Sequence, residues 1–315
     1  MTSLPENIAT GDLKSRLAAL SDAIGADDEP GLKEAITAAL EEREPRLRRA
    51  ALETIALTSD AKTLLFPPSV APKILAMAHD LAIGVRAETA VALATVPAIS
   101  RDDATLALLR LLRDDAMEVR QEAAAALGDV ADERAREPLA TVLESDKNPG
   151  VRFEAAFALA SLKDARALPL LVEMLGGPRF TDACEALKRL GDARAIDPLR
   201  AHAARFFLGW PEKMVAHAAM YVLGAQDEGR NYLVSKLGVR NRGERELAIA
   251  TLGHLRIAEA REALEAIARD GRDRARGPAV TALGNIGDPR SIPVLETITD
   301  ASLAEDVAAA LASLK

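Results

Sequence analysis

The chain has 315 residues, with 40 Lys plus Arg against 48 Asp plus Glu, a formal net charge of −8. Hydrophobic residues make up 49% and aromatic residues only 3%. Ala and Leu pack thin helices closely, whereas sandwiches and barrels favour β-branched and aromatic side chains, so the composition excludes disorder and points to an all-α fold.

The first 44 residues carry helical patterns at about Asn7–Ile24 and Pro30–Arg43, separated by an Asp-Asp-Glu-Pro break. From residue 45 a repeat takes over. LRRAALETIALT starts at Leu47, VRAETAVALATV at Val85, VRQEAAAALGDV at Val119, VRFEAAFALASL at Val151 and RFTDACEALKRL at Arg179. Weaker copies start at Val215, Glu244, Ala275 and Leu303. The equivalent late apolar residue is Ile55, Leu93, Leu127, Leu159, Leu187, Leu223, Leu252, Leu283 and Leu311. A period near thirty predicts stacked helical hairpins: an all-α, right-handed α-solenoid of about eight units. Residues 1–44 are expected to form an N-terminal helical cap, 45–302 one continuous solenoid, and 303–315 a C-terminal capping helix. Phe66-Pro67-Pro68 and Ala71-Pro72 mark a longer loop in the first full unit.

Each unit divides into two helices. The first begins at Asp164, Asp192 or Asp288, where a carboxylate can accept the free amide protons of a first turn. The second is the Val-Arg segment, whose positions 0, +4, +5 and +8 should face the core. An acid precedes an arginine by six in Asp80/Arg86, Asp114/Arg120, Asp146/Arg152 and Asp270/Arg276, with Glu42/Arg48 as a longer-acid version. This spacing sets the acid at the end of one helix and the arginine at the start of the next. A guanidinium fork there can bridge to an acid of its own or of the adjacent unit, giving a structural ladder. The ladder lapses where Met174, Trp210 and Val239 replace the acid.

The Val-Arg-x-Glu-Ala-Ala-x-Ala-Leu runs at 119–127 and 151–159, with Leu-Gly-Asp-Ala-Arg-Ala at 190–195, resemble HEAT repeats. They are similar in particular to the short HEAT-like repeats of bilin lyases and of bacterial scaffold proteins. The resemblance covers about residues 45–315. It implies that the second helices line the concave surface of a solenoid.

That surface supplies the candidate site. Position +3 holds Glu88, Glu122, Glu154 and Asp182. Positions +2 and +6, one helical turn apart, hold Phe153 with Phe157, Thr181 with Glu185, and His217 with Tyr221. An aromatic cluster rimmed by Glu122, Glu154, Asp182 and Glu185 is therefore expected in the groove, although Phe153 and Phe157 could equally pack as core. The insertion Arg205–Lys213 (RFFLGWPEK) carries the chain's one Trp, Trp210. It is either a binding loop or a plug between repeats, and its apolar character favours the plug.

His79, His202, His217 and His254 have no second His or Cys at metal-ligand spacing, so no metal site and no cofactor are expected. Cys184 alone excludes a disulfide framework, and its Ala-rich surroundings predict a buried thiol rather than a nucleophile. No phosphate-loop or nucleophile-elbow pattern occurs. The basic runs Arg43–Arg49, Val239–Arg245 and Arg269–Arg276 are interleaved with acids and lack adjoining aromatics, which disfavours nucleic acid. The N-terminus has no signal-peptide pattern and no apolar run approaches a membrane span, so a cytoplasmic location is expected.

The leading reading is a non-enzymatic scaffold, adaptor or assembly factor. It would bind a protein with a basic or amide-rich surface through Glu88, Glu122, Glu154, Asp182 and Glu185, with Phe153, Phe157, His217, Tyr221 and Trp210 as further contacts. The resemblance also implies a bilin- or cofactor-lyase or chaperone-like subunit as an alternative. The architecture resembles helical-repeat DNA glycosylases as well, against which the acidic +3 positions count.

Overall fold

The computed structural model describes residues 4–23, 30–60 and 65–314. The Asp27–Glu29 part of the predicted break and residue 24 lie outside these. The described secondary structure is helical throughout. The chain divides into two compact units, residues 1–170 and 171–315.

Unit 1 contains α1 (Leu4–Ala9), α2 (Leu13–Asp22), α3 (Pro30–Ala39), α4 (Pro45–Asp60), α5 (Ala71–Met77), α6 (Ile83–Thr95), α7 (Arg101–Leu111), α8 (Met117–Val130), α9 (Arg136–Ser145) and α10 (Pro149–Ser161). The second helices stack in series, α2 on α4, α4 on α6, α6 on α8 and α8 on α10. The core positions are those the periodicity predicts: Val85, Thr89, Ala90 and Leu93 are buried, as are Val119, Ala123, Ala124 and Leu127, and Val151, Ala155, Ala156 and Leu159. Small residues set the spacing. A Cβ on Gly128 would lie 2.9 Å from the Cα of Ala158, so α8 and α10 touch backbone to backbone at this point.

The unit boundary falls within α11 (Leu168–Met174). Unit 2 continues with α12 (Phe180–Leu190), α13 (Ile196–Ala203), α14 (Trp210–Val222), α15 (Gln226–Ser235), α16 (Arg242–His254), α17 (Arg261–Arg269), α18 (Arg276–Ile286), α19 (Ile292–Leu295) and α20 (Ala304–Ser313). Here α12, α14, α16, α18 and α20 form the second-helix series. Asp164, Asp192 and Asp288 cap one-turn 3₁₀ segments that lead into α11, α13 and α19, each accepting the backbone N–H of the residue two ahead. The same side chains also accept from Arg166, Arg194 and Arg290, which fold back onto their own caps.

The ladder bridges to the adjacent repeat rather than within one, settling the alternative left open by the spacing. Arg48 grips Asp80, Arg86 grips Asp114 and Arg120 grips Asp146, each with Nε 2.7 Å from a carboxylate oxygen. The acid six residues earlier contributes only its backbone carbonyl, which accepts from Nη1 of the arginine. Arg86 beside Asp114 holds that carboxyl below the ordinary carboxylate range. Two expected members depart from the pattern. The Nε of Arg152 is buried with no hydrogen-bond partner. Asp270 is replaced by Asp273, which accepts from both Nη atoms of Arg245 and caps the N–H of Ala275, because a longer turn separates α17 from α18. Arg276 meets Asp300 instead, at 2.9 Å.

Two features escaped the sequence reading. Arg16 in α2 donates to Glu42 at 2.7 Å, so the arginine–acid bridge already operates in the N-terminal 44 residues. A second set of bridges runs between first-helix segments: Arg134–Asp102, Arg166–Glu137, Arg200–Glu228 and Arg230–Glu259. An Asp-x-Arg triplet marks Arg134 and Arg166 in the sequence, whereas Arg200 and Arg230 follow an Asp three residues back.

Candidate functional site

The second-helix surface of unit 1 carries the row of acids expected at +3. Glu88 lies on α6, Glu122 on α8 and Glu154 on α10. Burial, and then the neighbouring Glu53 of α4, raises the pKa of Glu88. Burial, and then Glu154, raises that of Glu122. Arg49 approaches Glu88 with Nε at 3.7 Å, outside hydrogen-bonding distance. Partly buried like charges on successive helices are held together against their own repulsion by the packing beneath them. Such a surface attracts positive charge.

In unit 2 the +3 residues are Asp182, Ala218, Leu247, Pro278 and Asp306. Asp182 is exposed, but Glu185 is engaged, 2.5 Å from Lys188 and 3.6 Å from Arg189, and these contacts lower its pKa. A groove of about 300 Å³ runs along α12, α14 and α16, walled largely by Met214, Val215, Ala218, Leu247 and Ala250.

Positions +2 and +6 belong to packing, which corrects several expected contacts. Phe153 is buried at 2% exposure, and Phe157, 6.3 Å from it between centroids, is half-buried. His217 and Tyr221 turn toward α15. The His217 ring stacks on Tyr232 at 3.8 Å, and a Cβ on Gly229 would lie 2.7 Å from the Cβ of Tyr221. The first and second helices meet closely here, and both side chains are left half-buried. Trp210 is half-buried against the core of unit 2 and lies across Gly243.

The insertion does not act as a plug throughout. Phe206 and Phe207 are 87% and 95% exposed and touch each other edge-on at 5.1 Å. The physical reason lies in the chain path. Gly209 caps α14, with Pro211 in its first turn, and Trp210 takes the packing position, which leaves the preceding rings at the tip of the loop. Behind them is a cavity of about 660 Å³ between the Gly176-Gly177-Pro178 turn, the end of α13 and residues 205–208. Its floor is Phe180 stacked on His202, with centroids 4.7 Å apart and planes at 17°. The Nδ1 of His202 is buried without a hydrogen-bond partner, and burial pushes the ring's pKa down.

Among the described residues, no three His, Cys, Asp or Glu side chains converge to hold a metal ion. Cys184 is buried, and burial pushes its thiol up to about 12. Four arginines of the basic runs are spent on acids: Arg48 on Asp80, Arg242 on Glu246, Arg245 on Asp273 and Arg276 on Asp300. Among the described residues no helix is long and apolar enough to cross a membrane.

Stacked helical hairpins, a shared small-residue seam and arginine–acid rungs define an all-α solenoid. HEAT repeats match residues 105–182, 142–205 and 232–315, and the chain belongs to that family. It is similar to deoxyhypusine hydroxylase-B of Oryza sativa subsp. japonica, 28% identical over 222 residues, covering 60% of this chain and 74% of that protein. It is similar also to protein YibA of Escherichia coli K12, 32% identical over 167 residues, covering 51% of this chain and 57% of YibA. The structure of the CpcE–CpcF complex of phycocyanin lyase from Nostoc sp. PCC7120 shares the fold, with a TM-score of 0.50 and 23% identity over 79% of this chain and 95% of that one.

Proposed function

We propose that this protein is a non-enzymatic scaffold or adaptor that binds a basic segment of another polypeptide along the second-helix surface of unit 1. The observation that carries the reading is the acid row. Glu88 and Glu122 are kept together although burial and their neighbours raise both pKa values. Arg49, at 3.7 Å from Glu88, offsets part of that repulsion, and a cationic partner would relieve the rest. Phe157 retains partial exposure on α10 and can add apolar contact. The likeness to a hydroxylase suggests catalysis as a rival. Among the described residues no three metal-ligating side chains converge.

The test uses a fluorescein-labelled peptide of alternating Lys and Ala, with a Glu–Ala peptide as control. Wild type should raise the anisotropy of the basic peptide only. Glu122→Gln with Glu154→Gln should weaken binding at least tenfold at low salt, with unchanged helicity. Equal binding by the double variant, or equal binding of both peptides, would refute the reading.

A further inference from the structure

The cavity behind Phe206 and Phe207 has no part in the reading above and lies wholly in unit 2. Three observations there converge. The first is shape and size: about 660 Å³, within the range of small-molecule sites, with a floor already made of stacked rings. The second is His202. It is 6% exposed, it lines the cavity, and its Nδ1 has no hydrogen-bond partner. The Nδ1 is itself shut off from the cavity, so what His202 offers an occupant is its ring. The third is the mouth. Two almost fully exposed phenylalanines stand beside the exposed Arg205, and all three line the same cavity.

The charges that face His202 are those of Arg205 and Glu212. The Glu212 carboxylate is folded back over Gly209, with Oε2 2.5 Å from where a Cβ there would stand, at the start of α14. It belongs to the helix terminus, where an acid is favoured. Arg205 is thus the cation available to a ligand at the mouth.

We propose that this cavity binds a planar aromatic anion, its ring held between the Phe180–His202 floor and the Phe206–Phe207 pair, its anionic group on Arg205. Offset or edge-on stacking against four rings selects flatness. The guanidinium fork selects a carboxylate or similar oxyanion.

The test is calorimetric titration of the full chain with 2-naphthoate and with its neutral counterpart 2-naphthylmethanol. Wild type should bind naphthoate saturably and about tenfold more tightly than the alcohol. Arg205→Gln should abolish that preference while retaining the alcohol's affinity. Phe206→Ala with Phe207→Ala should weaken both ligands at least tenfold. All three residues are exposed, so the variants should keep wild-type circular dichroism and Tm. No saturable binding of either probe, equal affinity for the two in wild type, or binding unchanged by the Phe pair would overturn the assignment. Failure here leaves the basic-peptide result standing, since that experiment involves unit 1 alone.

Discussion

Arg86 shows how one side chain can join consecutive repeats. Its Nη1 holds the carbonyls that end one hairpin's first helix, at Asp80 and Leu81, while Nε and Nη2 clamp Asp114 of the next. Both partners are mostly buried, at 17% and 12% side-chain exposure, which distinguishes this pair from a solvated surface bridge. Arg86→Ala should lower unfolding free energy in urea by about 2 kcal/mol, because it strands a buried carboxylate and two carbonyls. Arg86→Lys should recover only part of this, since an ammonium cannot form the fork. Glu88 and Glu122 have the opposite sign. Their folded pKa values lie above the ordinary 4.5, so whatever stability they contribute is present below that pH and lost as the pH rises through the folded values. Glu88→Gln or Glu122→Gln should therefore stabilise the fold at pH 7, by about 0.5 kcal/mol, and the gain should vanish near pH 4. Urea melts at the two pH values check this directly. A gain at neutral pH accompanied by loss of basic-peptide binding would separate stability from function at a single side chain.

Between helices, the spacing is governed by small residues at the seam. Gly253 in α16 faces Ala282 in α18 so closely that a Cβ would stand 2.7 Å from its Cα. Gly253→Ala should force the two helices apart and cost about 1–3 kcal/mol, whereas Gly271→Ala, with open space around it, should stay within about 0.5 kcal/mol of wild type. Thermal melts of the pair provide the comparison. The same closeness explains the fate of the +2 and +6 aromatics. Ala-rich second helices approach their neighbours so nearly that a large side chain at these positions can pack on the adjoining helix, as His217 does on Tyr232 of α15.

For the molecule as a whole, the relevant property is that each hairpin is stabilised chiefly by its neighbours. Cys184 reports on this. It is buried in α12 and burial raises its thiol to about 12, so iodoacetamide at pH 8 should modify the native chain negligibly over an hour and the urea-unfolded chain to one adduct. Mass spectrometry gives the readout, and rapid labelling of the native chain would show that α12 opens locally. The net charge of −8 acts over the entire surface, in addition to the acid row, and favours encounter with cationic partners at low salt.

The helical class, the repeat period, the core positions, the capping aspartates and most ladder arginines were legible in the sequence, because each depends on local periodicity and recurs in every unit. The acid row was legible for the same reason: +3 is one position read several times. What recurs cannot reveal where the pattern is broken to effect. Whether Phe153 faces a groove or a core, and whether Asp270 or Asp273 completes a rung, depends on the distance of closest approach between helices and on turn length. The exposure of Phe206 and Phe207, and the stack of Phe180 on His202 behind them, required residues more than twenty positions apart to meet. Only tertiary packing decides that, since the free energy that places such rings comes from contacts no linear spacing encodes.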